Sequence, residues 1–275
     1  MSYVVAIPSY QRPGALFEHS IATLASKQVP LDKVYVFLHD HDPHLEEYLL
    51  KLDLLGANAV VTPARGIGEQ RTAITNHFPA GAQVVGMDDD IQGVMSTTGP
   101  RWAHAYQVDN LDALFTHMFA HIEDAGLKVW GLAPVDNPFF LKPGQISHGL
   151  KLVMFTLFGF INRPGHPVHH GTVRYKDEQE FSLRAWWYDG GTARNDGVAV
   201  KTTFYADGGC QAEGRNYAQV DESVESLLVQ WPGLIKRAPK RKSDWPEVAL
   251  ARRGRHPGNP VHALPPGAQQ LQDLL

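Results

Sequence analysis

Three consecutive carboxylates, Asp88-Asp89-Asp90, follow directly on the apolar run Gln83 to Met87 (QVVGM). Neighbouring anions repel, and each is costly near a core without a counter-charge. A divalent cation relieves both penalties, since Mn²⁺ or Mg²⁺ takes hard oxygen ligands and shares them between protein and a phosphate-bearing substrate. The competing reading is a solvated acidic loop. Placement weighs against it, because ligands of open α/β sheets collect at the carboxyl ends of strands. Pro8-Ser9-Tyr10-Gln11-Arg12 closes the first apolar run and offers a hydroxyl, a stacking ring and a fixed cation, a set suited to a nucleoside diphosphate. An ordinary strand-to-helix turn would need only Pro13-Gly14. Arg65-Gly66-Ile67-Gly68-Glu69-Gln70-Arg71 opens a helix, whose start binds anions, with Arg65 or Arg71 in reach of base or phosphate. It is neither a dinucleotide fingerprint nor a P-loop.

Lys176-Asp177-Glu178-Gln179-Glu180 leads into the helix that carries Phe181, expected from Glu178 to Trp187. A carboxylate here can act as general base toward an acceptor hydroxyl. First-turn acids complementing a helix dipole explain the same residues equally well. The 14 histidines include two short clusters, His39-Asp40-His41 and His169-His170, neither with a third metal ligand in evident reach. His169 and His170 read as loop residues near the site. Cys210, the only cysteine, reads as a packed loop residue, and no GxSxG nucleophile motif occurs.

The elements that must carry these groups alternate short β-branched runs with helical patterns, the signature of a mostly parallel sheet flanked by helices. Strands are expected at Tyr3 to Ile7, stopped by Pro8, and at Lys33 to Leu38, Ala59 to Thr62, Gln83 to Met87, Leu127 to Leu132 and Val198 to Tyr205. Helices are expected from Gly14 to Gln28, after an Asp42 N-cap with Pro43 at its first position, from the GIGEQR turn, after Asp109 or Asn110, from Glu178 to Trp187, and after an Asp221 cap. Leu150 to Ile161 fits a strand pair or a buried helix.

The 275 residues are 43% hydrophobic and 20% charged, which excludes a disordered chain, a collagen-like repeat and a disulfide scaffold. A lone cysteine favours a reducing, cytoplasmic setting, and Met1 to Pro8 does not read as a signal peptide. Charge is uneven. The segment from 236 to 255 holds Lys236, Arg237, Lys240, Arg241, Lys242, Arg252, Arg253 and Arg255 against Asp244 and Glu247, a net +6 within a chain of −4. An acidic body with a basic, Pro-punctuated segment suggests contact with a polyanion, and Trp245 adds a face that stacks on bases. A solvated tail is the plainer alternative. From Arg252 the Pro, Gly and Gln content predicts loose order. The expected division is a main domain over 1–235 and a basic extension over 236–275.

Strand-PSYQR, the GIGEQR helix start and strand-DDD together resemble the nucleotide-binding half of a GT-A glycosyltransferase. YKDEQEFSLRAW (Tyr175 to Trp186) and DGGTARNDGVAVKTTFYADGGCQAEGR (Asp189 to Arg215) resemble the glycosyltransferases associated with TET/JBP hydroxylases of phages and kinetoplastids, which glycosylate hydroxymethylated pyrimidines in DNA. The resemblance covers most of residues 3 to 235. It implies a GT-A-like (Rossmann-type) α/β fold and a UDP-sugar donor, UDP-glucose foremost, bound by Pro8, Ser9, Tyr10, Arg12, Arg65, Arg71, Asp88 and Asp89. It also implies a Mn²⁺ or Mg²⁺ held with Asp88 and Asp90, and catalysis by Glu178 or Asp177, where Asp177 stands for the first Glu of the family's ED pair. The acceptor would be DNA, docked on the basic segment, and the setting a host cytoplasm if the chain is of phage origin. The rivals are a GT-A transferase acting on polysaccharide, lipid or protein, a nucleic-acid-binding protein on an inactive GT-A scaffold, and a metal-dependent phosphohydrolase.

Overall fold

Tyr3 to Ser9 enters the molecule as a strand because five of its residues are apolar and all but Val4 and Pro8 are buried. In the computed structural model, which describes residues 2–98, 105–202, 216–239 and 245–251, this strand is β1 (Val4–Ser9). Pro8 does not stop it. Pairing with β4 (Gln83–Met87) ends at Ala6, so Pro8 faces a ladder only toward β2 (Val34–His39) and its missing N–H is tolerated there. The first helix, α1, runs through Pro13–Ala15, a wider π-type turn over Leu16–Ile21, and Ala22–Ser26. Next come α2 (Leu45–Leu55), closed by Gly56 at φ 69°, then β3 (Asn58–Thr62) and α3 (Gly66–His77). Asp42 does not cap α2. It closes the preceding turn, accepting from the backbone N–H groups of His44 and Gln11, and His44 takes the cap position.

Beyond the aspartates the chain forms β5 (Ile91–Thr97), a strand the hydrophobic pattern leaves unassigned, and β6 (Ala105–Gln107). Asn110 caps α4 (Leu111–Asp124) through the Ala113 N–H, and β7 (Val129–Ala133) follows. β8 (Ile146–Gly149) precedes the ambiguous apolar run. Only its end, β9 (Leu157–Ile161), is a strand. The stretch before it is neither strand nor helix, because the Val153 and Phe155 N–H groups are taken by the side chains of Ser182 and Glu178. Those belong to α5 (Asp177–Asp189), which leads into β10 (Thr192–Thr202). α6 (Tyr217–Gln230) is capped by Asn216, not Asp221, which lies a turn inside and pairs with Arg237.

Among the described residues, ten strands make one mixed sheet in the order β3-β2-β1-β4-β9-β7-β10-β5-β6, with β8 also on β10. The first four are parallel. The chain moves from β1 outward to β2 and β3, then returns to β4 on the other side of β1. That reversal opens a crevice at the carboxyl ends of β1 and β4, where β1 leads into α1 and β4 into the aspartate turn before β5. One core, with Ile7, Leu24, Tyr48, Phe115 and Trp130, lies under α1, α2 and α4. A second, with Phe37, Ile74, Phe158 and Phe181, lies under α3 and α5.

Two glycines permit the aromatic packing of the middle strands. Gly159 pairs with Trp130, whose indole lies where a Cβ would stand, and Phe158 lies likewise against Gly86 on β4. Gly159→Ala must displace a buried indole, so we expect a loss of about 1–3 kcal/mol, measured by urea unfolding.

A third cluster joins α5 and α6 to a short hairpin, β11 (Ile235–Arg237) and β12 (Val248–Leu250), through Trp186, Trp231, Ile235 and Val248. The boundary expected after residue 235 therefore falls inside a strand, and part of the basic segment packs on the main body. Lys240, Arg241, Lys242, Arg252, Arg253 and Arg255 lie outside the described residues, as do Cys210, Tyr205 and the end of the chain. Among the described residues, no helix is long and apolar enough to cross a membrane.

Candidate functional site

The crevice brings together the ends of β1 and β4 and the start of α5. Ser9, the last residue of β1, donates to Asp89 Oδ2 at 2.7 Å and shares a 3.0 Å hydrogen bond with Tyr48 of α2. The Tyr48 hydroxyl also accepts from the Arg12 backbone N–H at 2.9 Å, and burial pushes its pKa up to about 12. Gln11 turns the chain between them with φ 55°, a left-handed conformation held by its N–H on Asp42 Oδ2. The turn aims Arg12 at two aspartates: Nη1 lies 3.0 Å from Asp89 Oδ1 and Nη2 lies 2.8 Å from Asp90 Oδ2. Burial opposes the guanidinium charge, but Asp89 and Asp90 outweigh it and hold Arg12 protonated. The hydroxyl of Thr202 donates to Asp90 Oδ1 at 2.8 Å.

The π-type turn of α1 has a role here. It presents Ser20, whose hydroxyl donates to the Asp88 carbonyl at 2.6 Å and accepts from the Ile91 N–H at 2.9 Å. Thr23 adds a bond to the Ile91 carbonyl. The aspartate turn is thus clamped from both ends, a function often found for wide helical turns.

Asp88 differs from its two neighbours. Among the described residues no hydrogen bond or ion pair reaches its carboxylate, which lines a cavity with Arg71 and Phe155. Burial, reinforced by Asp90, Asp89 and Glu178 and opposed by Arg71, pushes its pKa up to about 8. Asp89 rises to about 6, burial outweighing Arg12 and Ser9. Arg71, on α3, forms an ion pair with Asp177 at the start of α5 and lies 3.9 Å from the centre of the Phe155 ring. Glu178 accepts from the Phe155 N–H at 3.0 Å, and burial followed by Asp177 raises its pKa to about 7. Lys176, which starts α5, adopts φ 64° and reaches Glu247 at 2.8 Å.

The fold therefore joins Pro8, Ser9, Arg12, Arg71, Asp88, Asp89, Asp90, Asp177 and Glu178 at one crevice, drawn from four separate segments. Tyr10 lies at its rim, 38% exposed, with its ring 5.9 Å from His39. Arg65 is exposed at the start of α3, its N–H held by Glu69. Lys236 and Arg237 lie on β11, and Arg237 pairs with Asp221 and Glu225. His169 lines the cavity, while His170 beside it is exposed. Sequence reasoning does not find Ser20, Tyr48, Thr202 or Phe155. Ser20 and Tyr48 sit inside helices with no local mark, and the aromatic spacing around Phe155 is the one signal that points to the cavity.

The residues fit a divalent cation. Asp88 presents a carboxylate that no hydrogen bond or ion pair engages among the described residues, and Asp90 adds a second only by sharing an oxygen already held by Arg12 or Thr202. Among the described residues no three His, Cys, Asp or Glu side chains form a ready cage. A Mg²⁺-like ion needs only one or two carboxylates when substrate phosphate and water complete its shell.

The crevice at the β1–β4 reversal, with aspartates at the end of β4 and antiparallel strands completing the sheet, defines a GT-A-like α/β fold. The chain is similar to S. aureus TarS, residues 1–349, in complex with UDP-GlcNAc: TM-score 0.56, 13% identity, 83% of this chain and 67% of that one. It is also similar to GalNAc-T7 with UDP, GalNAc and Mn²⁺, at TM-score 0.55 and 11% identity over 85% of this chain and 48% of that one. A longer S. aureus TarS structure gives TM-score 0.52 at 13% identity, with this chain spanning 40% of its length. No protein-family model matches the sequence, and no curated protein matches it. At these identities the likeness establishes the fold.

Proposed function

We propose that this chain is a glycosyltransferase that moves a sugar from a UDP-sugar, UDP-glucose foremost, onto the hydroxymethyl group of a modified pyrimidine in DNA. The observation that carries the transferase reading is the meeting of Asp88, just past β4, with Arg71 and the Asp177-Glu178 pair on α5 inside a GT-A-like fold. Two proteins of similar fold were crystallised with UDP or a UDP-sugar, one also with Mn²⁺. The DNA acceptor rests on the resemblance of Tyr175 to Trp186 and Asp189 to Arg215 and on the basic segment.

Tyr10 offers the donor base a stacking face, and Arg71 is positioned to exchange Asp177 for the diphosphate. Arg12 is committed to Asp89 and Asp90, so its part is to fix the aspartate turn. Asp88 and Asp90 would hold a Mn²⁺ or Mg²⁺, which supplies positive charge to the departing diphosphate when bound. Glu178, with a pKa near neutrality, takes the proton of the acceptor hydroxyl. The acceptor oxygen bonds to the anomeric carbon, the bond from that carbon to the diphosphate breaks, and UDP leaves with the electron pair.

Incubation of the protein with Mn²⁺, a panel of UDP-sugars and DNA containing 5-hydroxymethylcytosine or 5-hydroxymethyluracil tests the reading. Nucleosides heavier by one hexosyl unit are expected by mass spectrometry. Unmodified DNA alongside transfer to a glycan, lipid or protein would replace the acceptor, and UDP-sugar left intact in every mixture would remove the transferase. DNA docking makes a separate prediction. Changing Lys240, Arg241 and Lys242 together to Ala should weaken DNA binding and flatten its salt dependence by about 3 units of slope at most, while UDP-sugar hydrolysis persists. Arg237 is already paired with two carboxylates, so Arg237→Ala should cost less affinity than Lys236→Ala.

A further inference from the structure

Behind Asp88, between α3, α5 and the sheet, lies a cavity of about 70 Å³. Its walls include Phe155, Phe158, Phe160 and Phe181 and the imidazole of His169. The rings form a continuous set, with centroids 4.8 Å apart for Phe155 and Phe158, 5.1 Å for Phe155 and Phe181, and 5.0 Å for Phe160 and His169. His169 Nε2 is buried and, among the described residues, has no hydrogen-bond partner. Leaving a buried polar nitrogen without a partner is costly, and of the described side chains with such an unpartnered buried atom, His169 alone stands on the wall of this cavity, where a ligand atom can satisfy it. Burial, with Arg163 and His166 adding to it, lowers the His169 pKa to about 3, so the ring is neutral. A neutral imidazole nitrogen can donate or accept according to tautomer.

The donor base does not need this space. Tyr10 and His39 stand at the ends of β1 and β2, whereas the phenylalanines belong to β9, its approach and α5, and the cavity meets β1 only at Ala6 and Pro8. We propose that the cavity receives the acceptor: a pyrimidine ring, turned out of its strand, slides between the phenylalanines with its polar edge on His169 Nε2 and its hydroxymethyl group at the Asp88 mouth. This rests on the transferase reading and names the form in which its acceptor is bound. Aromatic walls hold any base by its π-face, and the polar edge is then read by the His169 nitrogen.

Arg71 sets the order of binding. Its planar guanidinium lies 3.9 Å from the Phe155 centroid, in the position a stacked base would take. The cavity is smaller than the roughly 150 Å³ that accommodates a benzene ring, so the base enters only once Arg71 leaves. A donor diphosphate draws Arg71 away from Asp177 and Phe155. Donor binding thus precedes acceptor binding.

The test uses the full chain labelled with ¹³C at histidine, with Mg²⁺, UDP and either 5-hydroxymethyl-2′-deoxyuridine or a single-stranded oligonucleotide carrying it. The His169 signal is assigned as the one lost in His169→Ala. Addition of the nucleoside or oligonucleotide should move this signal, and UDP should tighten the apparent Kd by about tenfold or more. Phe181→Leu should weaken that Kd by about tenfold with UDP affinity unchanged; His169→Asn serves the same purpose if the leucine variant does not fold. A His169 signal that stays still, or a response confined to His39, overturns the pocket. UDP-sugar hydrolysis measured in parallel separates the two claims. Hydrolysis without a His169 response removes the pocket and keeps the transferase, and the converse removes the transferase.

Discussion

Glu178→Gln should lower kcat by about 10²–10⁴-fold while leaving the Kd for UDP within about twofold. The substitution keeps the shape and the acceptor for the Phe155 N–H but removes the only role proposed for this carboxylate, taking a proton. Hydrolysis of UDP-sugar by water should fall less than transfer, because it draws less on a base aimed at the acceptor. The pH profile gives the sharper check. Burial and Asp177 raise the Glu178 pKa to about 7, and a base works in its ionised form. Activity should therefore rise with pH below about 7 and level off above it, and the variant should lack that limb. A profile identical in the two proteins would assign the base to another group.

Asp88→Asn should have two effects of opposite sign. Transfer and donor binding in the presence of Mn²⁺ should fall by roughly 10²–10³-fold, as the unpaired oxygen donor of the crevice is lost. The apo protein, in contrast, should become more stable at pH 8. Asp88 carries a folded-state pKa raised to about 8, so folding imposes a cost on its charge that grows as pH rises from the ordinary carboxylate range toward 8. Water reaches the mouth of the crevice, so the gain should be about 1–2 kcal/mol, roughly 2–8 °C in Tm. It should vanish near pH 4, where the carboxyl is protonated in the folded chain. Asp89→Asn should show no such gain, because it strands Arg12 after removing one of its two partners. Calorimetry of the three proteins at pH 4 and pH 8 without metal distinguishes these cases.

The aspartate triplet marks the limit of what the sequence reveals about the crevice. The triplet suggested a cation as the remedy for repulsion. The fold supplies part of the remedy from its own chain, since Arg12 bridges Asp89 and Asp90 from 78 residues away along the sequence. Only Asp88 is left over, and it is the residue the cavity exposes. Arg71 shows the same pattern, for its partner Asp177 lies 106 residues further along. Both arginines stood out as phosphate ligands in the sequence. Neither pairing could be read there, because each depends on which strands and helices become neighbours.

Local chemistry determined where several elements lie, though not the stop expected at Pro8 or the caps expected of Asp42 and Asp221. The apolar run before Asp88 made β4, the glycine turn started α3, and the acid-rich start of α5 fell within one residue of its expected place, because these follow from side-chain period and backbone preference over a few residues. The π-type turn that aims Ser20, the extended stretch tied to Ser182 and Glu178, and the insertion of antiparallel β9 beside β4 were decided only in three dimensions. Each exchanges a local preference for hydrogen bonds or burial gained from distant segments. The chain by itself declared which residues were fit for phosphate and proton chemistry. Packing decided which of them were used up in holding the crevice together and which one, Asp88, was left open to a ligand.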